Sequence, residues 1–322
     1  MEPQKPISSP RNLRAWGSIY AKGIAMGAAD LVPGVSGGTV AFVTGIYDEL
    51  LATIAGIRWP LIQILLRGEF TRFWREANAN FLVALLAGIG TSVVSLAGLF
   101  HYLLNHHPVT LWAFFFGLVA ASVPLMSRSV EHWNLGSVVS LLVGLGTALW
   151  VTALPPLVQS DAPLFLLLCG AIGVCAMILP GISGSFILLI LGAYAPVIAA
   201  LKGFDWIRII AFVCGAVGGL LAFSKVLNLL LSRFRTTTLS LLTGFLVGSL
   251  QALWPWKKDA TLLYTHSDGR EEWLKVNRWP TDPALPGDPE LWHVALACLA
   301  GALLVSGLDA WARRMARTQA TP

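Results

Sequence analysis

Two short runs of this chain combine residue types that can grip an anion. The first is Ser36-Gly37-Gly38-Thr39 and the second is Ser183-Gly184-Ser185, each just after a Pro-Gly pair, Pro33-Gly34 and Pro180-Gly181. Proline ends a helix, because it has no N–H and clashes with the preceding turn. Glycine then lets the chain turn without steric cost. A helix that restarts after such a break presents unpaired N–H groups and a partial positive charge, which suit a phosphate or a carboxylate. Ser36, Thr39, Ser183 and Ser185 add hydroxyls. Serine capping alone also explains Ser36 and Ser183, but both copies carry it in the same slot.

The runs belong to one phrase written twice. Asp30-LVPGVSGGTVAFVTGI-Tyr47 recurs as Met177-ILPGISGSFILLILGA-Tyr194, at a constant offset of 147. A fainter match sets Phe114-FFGLVAA-Ser122 over Leu241-LTGFLVG-Ser249, with Gly117 over Gly244. Two ionisable residues precede the first break, Lys22 and Asp30. An ionisable group within an apolar segment is a functional candidate by default. Asp30 is a candidate for carrying a proton or holding a coupling cation such as Na+; it could equally pair with Lys22 or cap the broken backbone. Lys22 either meets the anion or snorkels to the interface. The second copy has Met177 in the place of Asp30, so any such role is one-sided.

The surrounding chain predicts where these breaks lie. Of 322 residues, 56% are hydrophobic and 12% charged, half the charged share of about 25% in soluble domains. Apolar runs long enough to cross a bilayer recur throughout. This reads as an all-α polytopic membrane protein. Its net charge of +5 is read as loop charge facing cytoplasm and lipid headgroups. No basic patch with interleaved aromatics points to nucleic acid. The four cysteines all fall in apolar segments, without a CxxC pair or metal spacing, and read as packing residues. The first apolar stretch, interrupted by Lys22 and Asp30, does not read as a signal peptide.

Full spans are predicted at 81–104, 109–128, 136–157, 207–231, 237–254 and 291–312. Two longer stretches, 15–57 and 163–201, hold the phrases and are broken near their middles. Arg58, Arg67, Arg72 and Arg75 after the first stretch match the basic N-terminal tail, so both flanks read as cytoplasmic. The first stretch then enters and leaves on one side. Each half becomes one re-entrant hairpin plus three spans. Three being odd, the halves face opposite ways, the inverted-repeat plan of secondary transporters. The resulting organisation is a cytoplasmic tail at 1–14, a first repeat at 15–157, a second repeat at 163–312 with an outside loop at 255–290, and a cytoplasmic tail at 313–322. The tryptophans, including Trp16, Trp59, Trp112, Trp206, Trp254 and Trp292, fall near span ends as an aromatic belt. Oligomeric state is not fixed by the sequence, and a homo-oligomer remains open.

Lys22-GIAMGAA-Asp30-LVPGVSGGT followed by Gly45-Ile46-Tyr47, with Pro180-GISGSFILLILGAY as a second signature, resembles the PopT-type polyprenyl-phosphate transporters over roughly residues 12–312. The resemblance implies a lipid substrate, undecaprenyl phosphate, returned to the cytoplasmic leaflet of the bacterial inner membrane for envelope synthesis. By position it carries over Lys22, Asp30, Pro33, Gly34, Ser36, Gly37, Gly38 and Thr39, then Pro180, Gly181, Ser183, Gly184 and Ser185. No cofactor is implied beyond a coupling ion. The alternatives are a small-anion transporter or a membrane undecaprenyl-diphosphate phosphatase. The phosphatase phrase PG-x-S-R-S carries an arginine where this chain has Gly37 and Gly184, and phosphoryl transfer needs a fixed cation on the developing charge.

Overall fold

The helix order follows the breaks and the apolar runs. The computed structural model describes residues 11–32, 34–154, 160–265, 271–282 and 291–320. Pro33 lies outside the described residues, as do 1–10 of the predicted tail, 155–157 of the first repeat, 266–270 and 283–290 of the outside loop, and 321–322. The first half runs α1 (Leu13–Asp30), α2 (Gly37–Val43), α3 (Tyr47–Ala55), α4 (Trp59–Leu66), α5 (Phe70–Glu76), α6 (Ala79–His106), α7 (Pro108–Ser127) and α8 (Leu135–Ala153). The second runs α9 (Pro163–Ile178), α10 (Gly184–Ile190), α11 (Tyr194–Lys202), α12 (Trp206–Arg233) and α13 (Arg235–Ser249), then β1 (Lys257–Thr265), β2 (Glu271–Asn277) and α14 (Leu291–Ala320).

Five of these helices are long and apolar enough to cross a membrane: α6, α7, α8, α12 and α14; seven do if each bent pair, α2–α3 and α10–α11, counts as one span. The chain is thus a multi-pass membrane protein. The span predicted at 237–254 is shorter than expected. Its helix ends at Ser249 after 15 residues, roughly 22 Å against about 30 Å of hydrocarbon. Past Ser249, Leu250 to Leu253 form tight turns before Pro255 stops the chain.

Each predicted two-part stretch is in fact three helices. After the Pro-Gly break comes a second one at Gly45 (φ +74°) and at Gly192 (φ +69°). The chain bends there by 116° between α2 and α3 and by 103° between α10 and α11. The 58–78 segment, given no structure above, is two short helices. They expose Trp59, Leu66, Phe70 and Trp74 beside Arg67, Arg72 and Arg75, the make-up of helices lying in a headgroup layer. The 255–290 loop, likewise unassigned, holds an antiparallel hairpin of β1 and β2.

Helices pair at close range. α1 packs on α6 and α9 on α12, within each half; α7 packs on α14 and α8 on α13, across the halves. In lipid no hydrophobic effect drives helices together, so small residues that let backbones approach matter most. A Cβ on Gly117 would strike the Cys298 carbonyl, and one on Gly244 the Leu141 carbonyl. The faint second match therefore marks two helix crossings. The main core gathers Val32, Val35, Ile46, Tyr47, Phe81, Leu85, Ile178, Leu242 and Leu246, so it surrounds the breaks.

Candidate functional site

The two Pro-Gly breaks meet in the middle of the molecule. α1 ends at Asp30, and α9 ends at Ile178, two residues before Pro180. Gly34 and Gly181 both sit at φ +86°, in the region that L side chains avoid. A Cβ on Gly181 would also lie 2.9 Å from Leu246 Cα. Both turns therefore need glycine for their backbone shape, and the second needs it for space.

A break in a buried helix strands carbonyls that must find donors. Here the first phrase supplies them to the second. Ser36 Oγ lies 3.1 Å from both the Met177 and Leu179 carbonyl oxygens and donates between them. Tyr47 Oη donates to the Ile178 carbonyl at 3.1 Å. Thr39 Oγ1 in turn accepts the Gly181 N–H at 3.0 Å. Ser36 and Thr39 are both 1% exposed, so no water competes for these bonds. Gly38 lies flat against the same turn: a Cβ there would sit 2.6 Å from the Ile178 oxygen. One cross-break lattice thus joins residues about 140 positions apart in sequence.

The start of α2 is occupied by the chain itself. The Gly37 N–H donates to Asp30 Oδ1 at 2.7 Å, and the Gly38 N–H to Ser36 Oγ at 3.1 Å. An anion does sit at this helix start, and it is the Asp30 carboxylate. A Cβ on Gly37 would lie 2.5 Å from Asp30 Oδ2, so the slot where phosphatases carry arginine is filled by the carboxylate. The start of α10 differs. Ser183 makes no capping bond; its hydroxyl pairs with that of Ser185 at 3.0 Å. Ser183, Gly181 and Gly34 line one cavity with Ala148, Thr152 and Ser249. It measures about 20 Å³, room for about one water molecule.

Lys22 is not brought to the breaks. Its Nζ donates to the Thr44 carbonyl at 2.7 Å, at the second bend beside Gly45. It lines a separate cavity of about 490 Å³ with Arg11, Glu49, Asp309 and Arg313. Both carboxylates that follow the second bend are ion-paired: Glu49, in the cavity, with Arg11 at 2.6 Å, and Asp48 with Arg235 at 2.9 Å. Sequence reasoning gave no role to Tyr47, Gly45 or Arg313. Tyr47 and Gly45 each stand in both copies of the phrase, which was the available signal; Arg313 had none.

Behind Gly34 stands an aromatic group. A Cβ on Gly34 would touch Trp112 at 3.6 Å, and Lys257 Nζ lies 3.9 Å from the Trp112 ring centre. Trp254 packs edge-on against Phe116, Trp256 and Trp279. Of the belt residues, Trp112 therefore packs beside the first break and Trp254 joins an aromatic cluster, while Trp59, Trp206 and Trp292 are exposed as expected of a belt.

The chain is similar to known proteins over most of its length. A family model described as undecaprenyl phosphate translocase-like matches residues 26–271. A curated protein of Vibrio cholerae serotype O1 named polyprenyl-phosphate transporter is 44% identical over 299 residues, covering 92% of this chain and 97% of the relative. One of the same name from Staphylococcus aureus is 33% identical over 257 residues, covering 73% and 84%. No solved structure matches the chain.

Proposed function

The chain belongs to the undecaprenyl phosphate translocase-like family, and from that membership we propose that it moves undecaprenyl phosphate across the bacterial inner membrane. It acts as a transporter and not as an enzyme, returning the lipid carrier to the cytoplasmic leaflet for reuse. The observation that carries this is the meeting of the two breaks around the Gly34–Gly181–Ser183 cavity. The two halves are inverted repeats, each a re-entrant element with three spans, and both termini are cytoplasmic. The matched order of helices and the paired glycine angles support this plan.

In this reading the lipid phosphate is held between Ser36, Gly37, Gly38 and Thr39 on one side and Ser183, Gly184 and Ser185 on the other, while the polyprenyl tail stays in the bilayer. The cavity of about 20 Å³ is smaller than a phosphate, so the breaks must part to admit one. Asp30 gates it. Its carboxylate holds the Gly37 N–H and repels a second anion. Neutralising Asp30 with a proton or Na+ removes that repulsion and weakens its hold on the Gly37 N–H, which couples the ion to the lipid. Movement of one repeat against the other then opens the site to the opposite leaflet. The break lattice of Ser36, Thr39 and Tyr47 is what that movement must rearrange.

The test is reconstitution into sealed vesicles with polyprenyl phosphate in one leaflet. Protein-dependent appearance of the lipid in the other leaflet, changed by an imposed proton or sodium gradient, is expected. Release of inorganic phosphate from undecaprenyl diphosphate by the purified protein would replace this reading with a phosphatase.

A further inference from the structure

We propose that the cavity at Lys22 and Gly45 is a second phosphate-monoester site, distinct from the breaks, where the lipid headgroup docks on its way to or from the transport path. The inference rests on the transport reading for its meaning, but not for its geometry.

The cavity is bounded by α1, the α2–α3 bend, the end of α7 and the last helix. Its volume of about 490 Å³ lies within the usual range of about 300–1,000 Å³ for ligand pockets. Five charged side chains line it, and four are paired off. Arg11 meets Glu49 at 2.6 Å and Arg313 meets Asp309 at 2.9 Å. The charge left over is Lys22, which forms no ion pair among the described residues. It is partly buried and held by one bond, to the carbonyl that α2 strands at its end. An ammonium carries three donors, so two are left for a ligand after the bond to Thr44. Gly45 opens the floor beside it: it is exposed, and a Cβ there would touch nothing within 4 Å. The two flanking arginines can turn from their carboxylates to a phosphate, which suits their forked geometry.

The second half shows that the fold does not require this charge. At the matching positions Lys22 becomes Cys169 and Glu49 becomes Pro196. Cys169 is buried in an apolar cluster with Leu166 and Ala193. The same architecture packs dry on one side and leaves a cationic chamber on the other. A chamber with one unspent cation, next to the bend that leads to the break, fits a phosphate monoester. Both a lipid phosphate and free inorganic phosphate present that group.

The experiment places the full-length chain in nanodiscs of uncharged phosphatidylcholine. Ser18, which lines the cavity, is replaced as Ser18→Cys and labelled with a water-soluble maleimide, read at that peptide by mass spectrometry. A short-chain polyprenyl phosphate should slow labelling at least five-fold. Lys22→Gln should abolish that protection and Lys22→Arg should retain it. Protection should persist in the Ser36→Ala/Ser183→Ala double variant; its loss there would overturn a separate site. Equal protection by inorganic phosphate at the same concentration would overturn the lipid assignment. Unchanged labelling with either compound would overturn the site itself. Binding is read without transport, so failure of vesicle flipping alone would count against the transport reading and not against this one.

Discussion

Asp30 holds the Gly37 N–H with its Oδ1 at 2.7 Å, so the first break is closed by the chain's own carboxylate. Asparagine keeps an acceptor oxygen in that place but carries no charge. Asp30→Asn should therefore fold with stability within about 1 kcal/mol of the parent, whereas Asp30→Ala loses the cap and costs about 1 kcal/mol more. In the vesicle assay Asp30→Asn should still move lipid but no longer respond to an imposed proton or sodium gradient. An unchanged gradient response would remove Asp30 from the coupling scheme.

The two serines of the repeated phrase are chemically alike and structurally unlike. Ser36 caps α2 and donates to the carbonyls at the end of α9; Ser183 makes no capping bond and lines the cavity. Ser36→Ala should lower stability by about 1–3 kcal/mol, since it strands buried polar groups. Ser183→Ala should leave the melting temperature within about 2 °C of the parent, as expected for well under 1 kcal/mol in a chain of this size. In a Lys22→Gln background, which silences the second cavity, both should weaken phosphate binding, and the double variant most of all. Wild-type affinity in the double variant would leave the serines as structural groups only.

Much of this was readable before any coordinates. The phrase at 30–47 and 177–194 marked both breaks, because proline and glycine in an apolar run have few other uses. Apolar length gave α6, α7, α8 and α12 to within four residues and the start of α14, whose end at Ala320 runs past the predicted 312. Other features depend on tertiary partners that spacing does not encode. Thr39 reads as an anion ligand from its place after Ser36, but its oxygen is spent on the Gly181 N–H. Lys22 reads as a neighbour of Asp30 because they share a helix two turns apart; the bend at Gly45 gives it the Thr44 carbonyl instead. The short α13 escaped notice because hydropathy continues through Leu250 to Trp254 after the helix has ended.

Tyr47 is the least expected member of the lattice. Its ring is buried at 2% exposure, and its hydroxyl is the donor to the Ile178 carbonyl. Tyr47→Phe keeps the ring and leaves that carbonyl without this donor. The cost should be about 1–3 kcal/mol, seen as a lower melting temperature in detergent. If the lattice must rearrange during transport, loosening it should also raise the rate of exchange between leaflets at temperatures where the variant stays folded. A variant as stable as the parent would show that Ile178 is satisfied without Tyr47.

Helix α12 offers a test of how the second half is held together. Gly215 and Gly218 lie one turn apart, but only Gly215 faces α9. A Cβ on Gly215 would run into the Leu167 carbonyl, while one on Gly218 would meet nothing within 4 Å. The obstacle is backbone, which cannot swing aside like a side chain. Gly215→Ala should therefore push α9 from α12 and destabilise the protein by about 1–3 kcal/mol, as overpacked contacts do. Gly218→Ala should be neutral or stabilising by up to about 1 kcal/mol, since alanine is the better helix former. Because α9 leads directly into the second break, Gly215→Ala should also reduce lipid transport at temperatures where it remains folded. Equal melting temperatures for the two variants would mean that α9 and α12 are not in backbone contact there.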